Sequence, residues 1–560
     1  LAAQARGAGA EPCRSPRRRG VQGRSPARGS KVRNRKKEGC AVKAPKDIKP
    51  RVRRRLGRII SDRRVVGALL IAMQAVGVLA LLTQLTGRWR SLVTVFTWLS
   101  IAMVVWLMRK EDNPAYKTAW IVMILAFPLF GGIFYLLWGN TPFNQSKLRH
   151  RFNPRPPRFD DAERQPASAQ LCAELPRHSA KCRYIEHITG MPAWTNTTTE
   201  YFPLGENFFM SLTEELKKAK RFIFMEYFII EPGLMWDTVL DILSEKAAAG
   251  VDVRLIYDDV GTLGKVPGGY ERYLRSRGVR AVRFNRFIPT LNTYLNNRDH
   301  RKICVIDGDV SYMGGINLAD EYINHTVRFG HWKDTGVCMR GDASFNATML
   351  FLQLWEYSTG EKIPADTSMY RPSCVQPAMG YVQPFGDSPL DQDNAGEAIY
   401  MQLIATARRY VYITTPYLVL DNEMLTALTV AAKSGVDVRI LTPGIPDKKL
   451  VYMVTRSFYP QLFRAGVRLY EYRPGFLHAK MIVADDEIGI IGTMNMDFRS
   501  FYMHFECGTL FYANDVVMEA KEDMEEVMAV SREIDEEWLR RVSWPTSIAA
   551  SLLRIFAPLM

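Results

Sequence analysis

Histidine is scarce in this 560-residue chain, which has eight, and its eight cysteines include no CxxC pair and none at metal-ligand spacing from a histidine. Zinc ribbons and related Cys/His modules are thereby excluded, and no metal or other cofactor is expected. Cys304 and Cys338, inside strand-like runs, serve as small apolar packing residues. Net charge is also scarce beyond the amino-terminal stretch: residues 1–64 hold 22 Lys and Arg against four acids, a local +18, so the formal +16 of the chain leaves −2 for the rest. That tail is rich in Arg, Gly, Pro and Ser and nearly lacks aromatics, so residues 1–62 read as disordered. It is either an idle extension, left open as part of the mature protein, or a basic arm drawn to anionic lipid headgroups. Without interleaved aromatics to stack bases, no nucleic-acid partner is expected.

Against this background, one pattern stands out by occurring twice: His300-x-Lys302-x4-Asp307 in HRKICVID and His478-x-Lys480-x4-Asp485 in HAKMIVAD. The copies are 178 residues apart, and at the same offset Gly314 matches Gly492 and Asn317 matches Asn495. Upstream, GVDVR recurs at 250–254 and 435–439, and FIFMEYFII (222–230) has a counterpart in YVYITTPYLVL (410–420). Repetition in register points to an internal duplication.

Each motif predicts a short strand closed by a turn, with His and Lys two residues apart and therefore on one face. Asp307 and Asp485 have the opposite parity and are expected to brace the turns as supporting members of the catalytic motifs. Two imidazoles and two ammoniums converging on one pocket suit phosphodiester transfer. One imidazole attacks phosphorus, the other protonates the leaving alkoxide, and the lysines hold the charge that gathers on the phosphoryl oxygens. Asn317 and Asn495 are candidate neutral donors to those oxygens. Tyr227, Asp258, Asp259 and Tyr417, at strand ends, are further candidates for the cleft, with core packing an equal reading for the tyrosines.

The paired HxKxxxxD motifs, followed by GGIN and GTMN, resemble the phospholipase D superfamily. NNRDHRKICVIDG, WKDT and MHFECG make the chain similar to bacterial cardiolipin synthases from about Val65 onward. The resemblance implies that His300 forms a phosphohistidine and His478 acts as acid and then base, although near-symmetry leaves the exchange of roles open. It also implies that Asp334 and Glu506 orient the imidazoles. The substrate it implies is phosphatidylglycerol, one molecule donating a phosphatidyl group to a second with release of glycerol. Headgroup hydrolysis, transfer to another acceptor and a non-catalytic lipid-binding relic remain the alternatives.

Three uncharged apolar runs, 65–86, 91–108 and 118–138, each approach the ~20 residues needed to cross a bilayer. The expected architecture is therefore a transmembrane region (63–140), a Pro/Arg-rich connector (141–170), and two tandem phospholipase D-like α/β domains (171–375 and 376–560) related by pseudo-twofold symmetry. The expected place is the bacterial cell membrane, multi-pass, with anionic membrane lipids as partners. Chain parity and the basic residues after the third run disagree about sidedness, and catalysis on the cytoplasmic side is favoured. The apolar segment 544–560 either dips into the lipid interface or docks on the domain core.

Overall fold

The computed structural model describes residues 87–110, 113–128, 130–139, 152, 166–286, 297–373, 377–391 and 393–559. All of them belong to one compact unit, Ile60–Met560. The basic tail, the run 65–86 and most of the connector lie outside the described residues.

In the first half the strands are β1 (Thr197–Phe202), β2 (Phe222–Tyr227), β3 (Asp252–Asp258), β4 (Arg280–Phe284), β5 (Arg298–Asp299), β6 (Lys302–Ile306), β7 (Val310–Gly314), β8 (His331–Lys333) and β9 (Gly336–Gly341). In the second they are β10 (Tyr381–Asp387), β11 (Tyr410–Thr414), β12 (Asp437–Pro443), β13 (Arg468–Tyr472), β14 (Gly475–Leu477), β15 (Met481–Ala484), β16 (Ile488–Gly492), β17 (His504–Tyr512) and β18 (Ser531–Glu533). The first sheet runs β1-β9-β7-β6-β2-β3-β4 and the second β10-β17-β16-β15-β11-β12-β13-β18. Apart from the terminal β18, the two orders are the same, each mixing a parallel trio with antiparallel neighbours. The duplication read from the motifs is thus a duplication of topology.

Between the sheets lies the helix Ser344–Thr359, which packs on β10 of one sheet and on β2 and β6 of the other. Its residues from Ser344 to Trp355 are all buried, as befits a helix that is apolar on every side. The amide of its Asn346 is fully used: Oδ1 accepts from Trp194 Nε1 at 2.7 Å, and Nδ2 donates to the carbonyls of Pro192 and Pro384 at 2.9 and 2.8 Å.

The halves are also stitched by two small parallel ladders, and these place the site. β5 pairs with the start of β17 (Arg298 opposite His504, Asp299 opposite Phe505), and β14 pairs with β8 (Gly475, Phe476 and Leu477 opposite His331, Trp332 and Lys333). A Cβ at Gly475 would lie 2.2 Å from the His331 carbonyl oxygen, so this backbone approach needs glycine.

The amino-terminal region corrects one expectation. Among the described residues, no helix is long and apolar enough to cross a membrane. The run 91–108 falls within the helix Gly87–Met108. The run 118–138 is not one helix. Pro114–Ala126 stops ahead of Pro128, which lacks the N–H that would continue it, and Gly131–Phe134 and Tyr135–Gly139 fold back, with Gly131 against the Met123 carbonyl.

Candidate active site

His300 follows β5 and His478 follows β14, so each motif histidine sits where a seam ladder ends rather than inside the motif strand. The His300 N–H donates to the Phe505 carbonyl at 2.9 Å and the His478 N–H to the Lys333 carbonyl at 2.7 Å. One residue further along each partner strand comes a carboxylate. His300 Nδ1 is 3.0 Å from both oxygens of Glu506, and His478 Nδ1 is 2.6 Å from Asp334 Oδ2. The pairing is crossed: each half supplies the imidazole that the other half's carboxylate orients. With Nδ1–H engaged, the nitrogen left for chemistry on each ring is Nε2.

The two carboxylates are held differently. Glu506 accepts from Ser500 Oγ at 2.6 Å and from Thr493 Oγ1, whereas Asp334 accepts the Thr335 N–H at 2.9 Å. Where the second half has Thr493 the first has Gly315, and a Cβ there would fall 2.1 Å from Asp334 Oδ1. The shorter Asp therefore goes with glycine, and the longer Glu with a hydroxyl.

Lys302 and Lys480 are buried, and each ammonium donates to the backbone carbonyl of its own motif histidine. Burial lowers Lys302 to about 8 and Lys480 to about 7, against the pull of Glu506 on the first and Asp334 on the second. Burial, followed by the charges of Lys302, Lys480 and then His478, holds His300 well below the usual imidazole range. His478 is pushed down to about 4 by burial and Lys480, with Asp334 opposing. Each imidazole thus feels both ammoniums, so the four side chains share one electrostatic site. Tyr322, Trp332 and Phe476 wall the His478 ring at 5.6, 5.3 and 5.7 Å between centroids, and Phe228 and His504 flank His300 at 5.0 and 5.5 Å.

Asp307 and Asp485 stand apart from this group, at the far ends of β6 and β15. Both have positive φ, 56° and 58°. Asp307 accepts the N–H groups of Lys220, Arg221 and Phe222 at 2.8, 2.6 and 2.9 Å, and Asp485 those of Arg408, Arg409 and Tyr410 at 2.9, 2.8 and 3.2 Å. Each ties the end of its motif strand to the start of the adjacent antiparallel strand, β2 or β11, the bracing that parity predicted. Asn317 is also committed to structure: Oδ1 accepts from Ile229 N–H at 2.9 Å and Nδ2 donates to Tyr322 Oη at 2.7 Å. Asn495 differs, since its buried Oδ1 has no hydrogen-bond partner.

Of the strand-end candidates, Asp258 is a brace, accepting from the N–H groups of Val260, Gly261 and Asp299 at 2.8, 2.9 and 3.1 Å. Asp259 pairs with Arg283 at 3.1 Å. Tyr227 is core, and Tyr417 donates to Asp447 Oδ2 at 2.6 Å.

Sequence reading missed the hydroxyls of Thr493 and Ser500, and it missed His504. The last was open to discovery, because His504 and Glu506 are two residues apart on one strand and so share a face. His300, His504 and Glu506 are all buried and offer ligand atoms within 4.8 Å of one another, a possible metal-holding set. Also unforeseen is a buried network on the first motif alone, with Arg301 3.7 Å from Glu226. Burial raises Asp299 to about 7 against the pull of Arg301. The matching second-half positions are Thr414, Leu477 and Ala479.

Over residues 212–327 and 400–528, which contain both motifs, the chain matches the family model described as cardiolipin synthase, PLD-like domain. A cardiolipin synthase of Geobacillus kaustophilus (strain HTA426) is 36% identical over 502 residues, 88% of this chain and 99% of that protein. The chain belongs to the cardiolipin synthase family. A cardiolipin synthase of Halalkalibacterium halodurans is 33% identical over 485 residues, 85% of this chain and 94% of the relative. Membership of the cardiolipin synthase family implies association with a membrane, and residues 98–140 match a second model, described as phospholipase D-nuclease N-terminal. Among solved structures, phosphatidylserine synthase of Haemophilus influenzae Rd KW20 aligns with a TM-score of 0.52 at 13% identity, covering 68% of this chain and 97% of that one. That likeness is one of fold.

Proposed function

We propose that this protein is a phosphatidyltransferase of the phospholipase D type that makes cardiolipin from two molecules of phosphatidylglycerol. The observation that carries the mechanism is the crossed pair of histidine–carboxylate contacts, which leaves two Nε2 atoms free beside two buried ammoniums. His300 Nε2 attacks the phosphorus of the first phosphatidylglycerol; the bond to the headgroup glycerol breaks, and that alkoxide takes a proton from His478. The terminal hydroxyl of a second phosphatidylglycerol then gives its proton to His478 and attacks phosphorus, and the P–N bond to His300 breaks. Lys302 and Lys480 offset the charge on the phosphoryl oxygens throughout.

The carboxylate contacts support this division of labour. His478 makes the shorter one, 2.6 Å to Asp334 against 3.0 Å for His300 to Glu506, which suits an acid at His478.

Lipid contact is supported by exposed apolar surface on the first and last α-helices among the described residues. Val95, Trp98, Leu99, Val105 and Met108 are exposed on the helix Gly87–Met108, and Trp544, Ile548, Leu552 and Ile555 line one face of the helix Trp544–Ile555. The helix Pro114–Ala126 lies beside both elements. In this reading the amino-terminal region anchors the protein to the bacterial cell membrane, the catalytic domains face the cytoplasm, and residues 171–375 and 376–560 form the two catalytic halves. The carboxy-terminal helix lies in the headgroup layer, so a phosphatidyl group on histidine meets a lipid hydroxyl before water.

The test is to incubate the membrane fraction with labelled phosphatidylglycerol as the sole lipid substrate. Cardiolipin and free glycerol in equal amounts are expected; phosphatidic acid as the main product overturns the transferase reading in favour of hydrolysis.

A further inference from the structure

We propose that His300, His504 and Glu506 form a binding site for a divalent cation of the zinc class, and that its occupation switches off His300. Two imidazoles and a carboxylate are a ligand set suited to zinc, with water completing the coordination. Three observations point to a ligand here. The three groups are buried and their ligand atoms lie within 4.8 Å of one another. His504 is more than nine-tenths buried, yet neither ring nitrogen has a hydrogen-bond partner; Nδ1 comes only to 3.6 Å from Glu506 Oε1. Glu506 is itself fixed by Ser500 and Thr493, the outer bonds that hold a ligating carboxylate in place.

The pseudo-twofold mate of His504 shows what packing alone demands. The two seam ladders superpose His504 on Trp332, each one residue before the residue whose carbonyl receives the motif histidine N–H. Both rings flank a motif histidine, at 5.5 Å for His504 and 5.3 Å for Trp332. An aromatic ring suffices in the second half, and the imidazole in the first half adds two ligand nitrogens.

Occupation blocks the reaction by changing a tautomer. A cation on His300 Nδ1 takes the lone pair of that nitrogen; the proton now shared with Glu506 leaves Nδ1, and the neutral ring takes a proton at Nε2. No lone pair then faces phosphorus. Binding itself is independent of the proposed reaction, whereas the inhibition rests on it.

Cobalt titration of the detergent-solubilised full chain, followed by the visible absorption of bound Co²⁺ and competed with Zn²⁺, tests the site in wild type, His504→Phe and, as control, His187→Ala at an exposed histidine. Wild type and His187→Ala are expected to bind one Co²⁺ that zinc displaces, and His504→Phe to bind it ~10–100-fold more weakly. Transfer rates with and without Zn²⁺, taken as a ratio within each variant, should show zinc inhibition reversed by chelator and weakened in parallel by His504→Phe. Absence of saturable cobalt binding in wild type, or equal binding in His504→Phe, overturns the site. Cobalt binding that depends on His504 in a protein that makes no cardiolipin upholds the site and rejects only the proposed reaction.

Discussion

At the scale of residues, the proposed reaction asks one ring to attack while the other gives up a proton, so two otherwise equivalent histidines need different surroundings. Their carboxylate contacts do differ, at 2.6 Å on His478 and 3.0 Å on His300. His478→Ala should retain attack but lose the acid and the base, slowing turnover ~10²–10⁴-fold and leaving a phosphatidyl adduct on His300 that intact-protein mass spectrometry detects. An adduct in His300→Ala instead would reverse the roles. Asp334→Asn removes the charge that sustains the His478 proton, so kcat should fall ~10²–10⁴-fold and the alkaline limb of its pH profile should move to lower pH. The lysines add a second dependence. A depressed ammonium is charged below its pKa and loses charge as pH rises through it, about 7 for Lys480 and about 8 for Lys302. The KM for phosphatidylglycerol should therefore climb between pH 7 and 9.

At the scale of elements, the motif aspartates hold strands rather than substrate. Asp307→Asn weakens a carboxylate that receives three backbone N–H groups, and the expected cost is ~1–3 kcal/mol of stability. Denaturant unfolding should show this loss while the KM of the folded fraction stays unchanged. Their role was legible from parity alone, since seven residues separate each from its histidine. The repeated segments upstream of the motifs were equally legible: FIFMEYFII and the first GVDVR fall on β2 and β3, and YVYITTPYLVL and the second GVDVR on β11 and β12. The histidines were placed less well. Periodicity put them inside strands, but they sit just before them, because the cross-half ladders that hold them are only two and three residues long and carry no sequence period. Crossed partnership was invisible for the same reason: the residues concerned are 206 and 144 positions apart. The helix Ser344–Thr359 gave no signal either, since a helix buried on every side has no polar face to mark its period.

At the scale of the whole molecule, apolar spans were legible as composition but not as shape. Pro128 breaks the run 118–138, and the described residues hold no crossing helix. Exposed apolar side chains on the first and last described helices remain to meet lipid. Replacing Trp544, Ile548 and Leu552 together by Ser should weaken binding of the full chain to phosphatidylglycerol vesicles by ~10-fold or more, measured by co-sedimentation. Product formed from short-chain substrate dissolved as monomers should be unaffected, and an equal loss on both substrates would mean that the helix serves folding instead.

Because each imidazole is steered by a carboxylate from the opposite repeat, the seam between the repeats also acts as a safety interlock. Prising the halves apart would disarm both rings in one movement. Hinge opening is therefore a poor way to admit a lipid as large as two acyl chains and a headgroup. A covalent cross-link clamping the seam shut should therefore leave turnover intact.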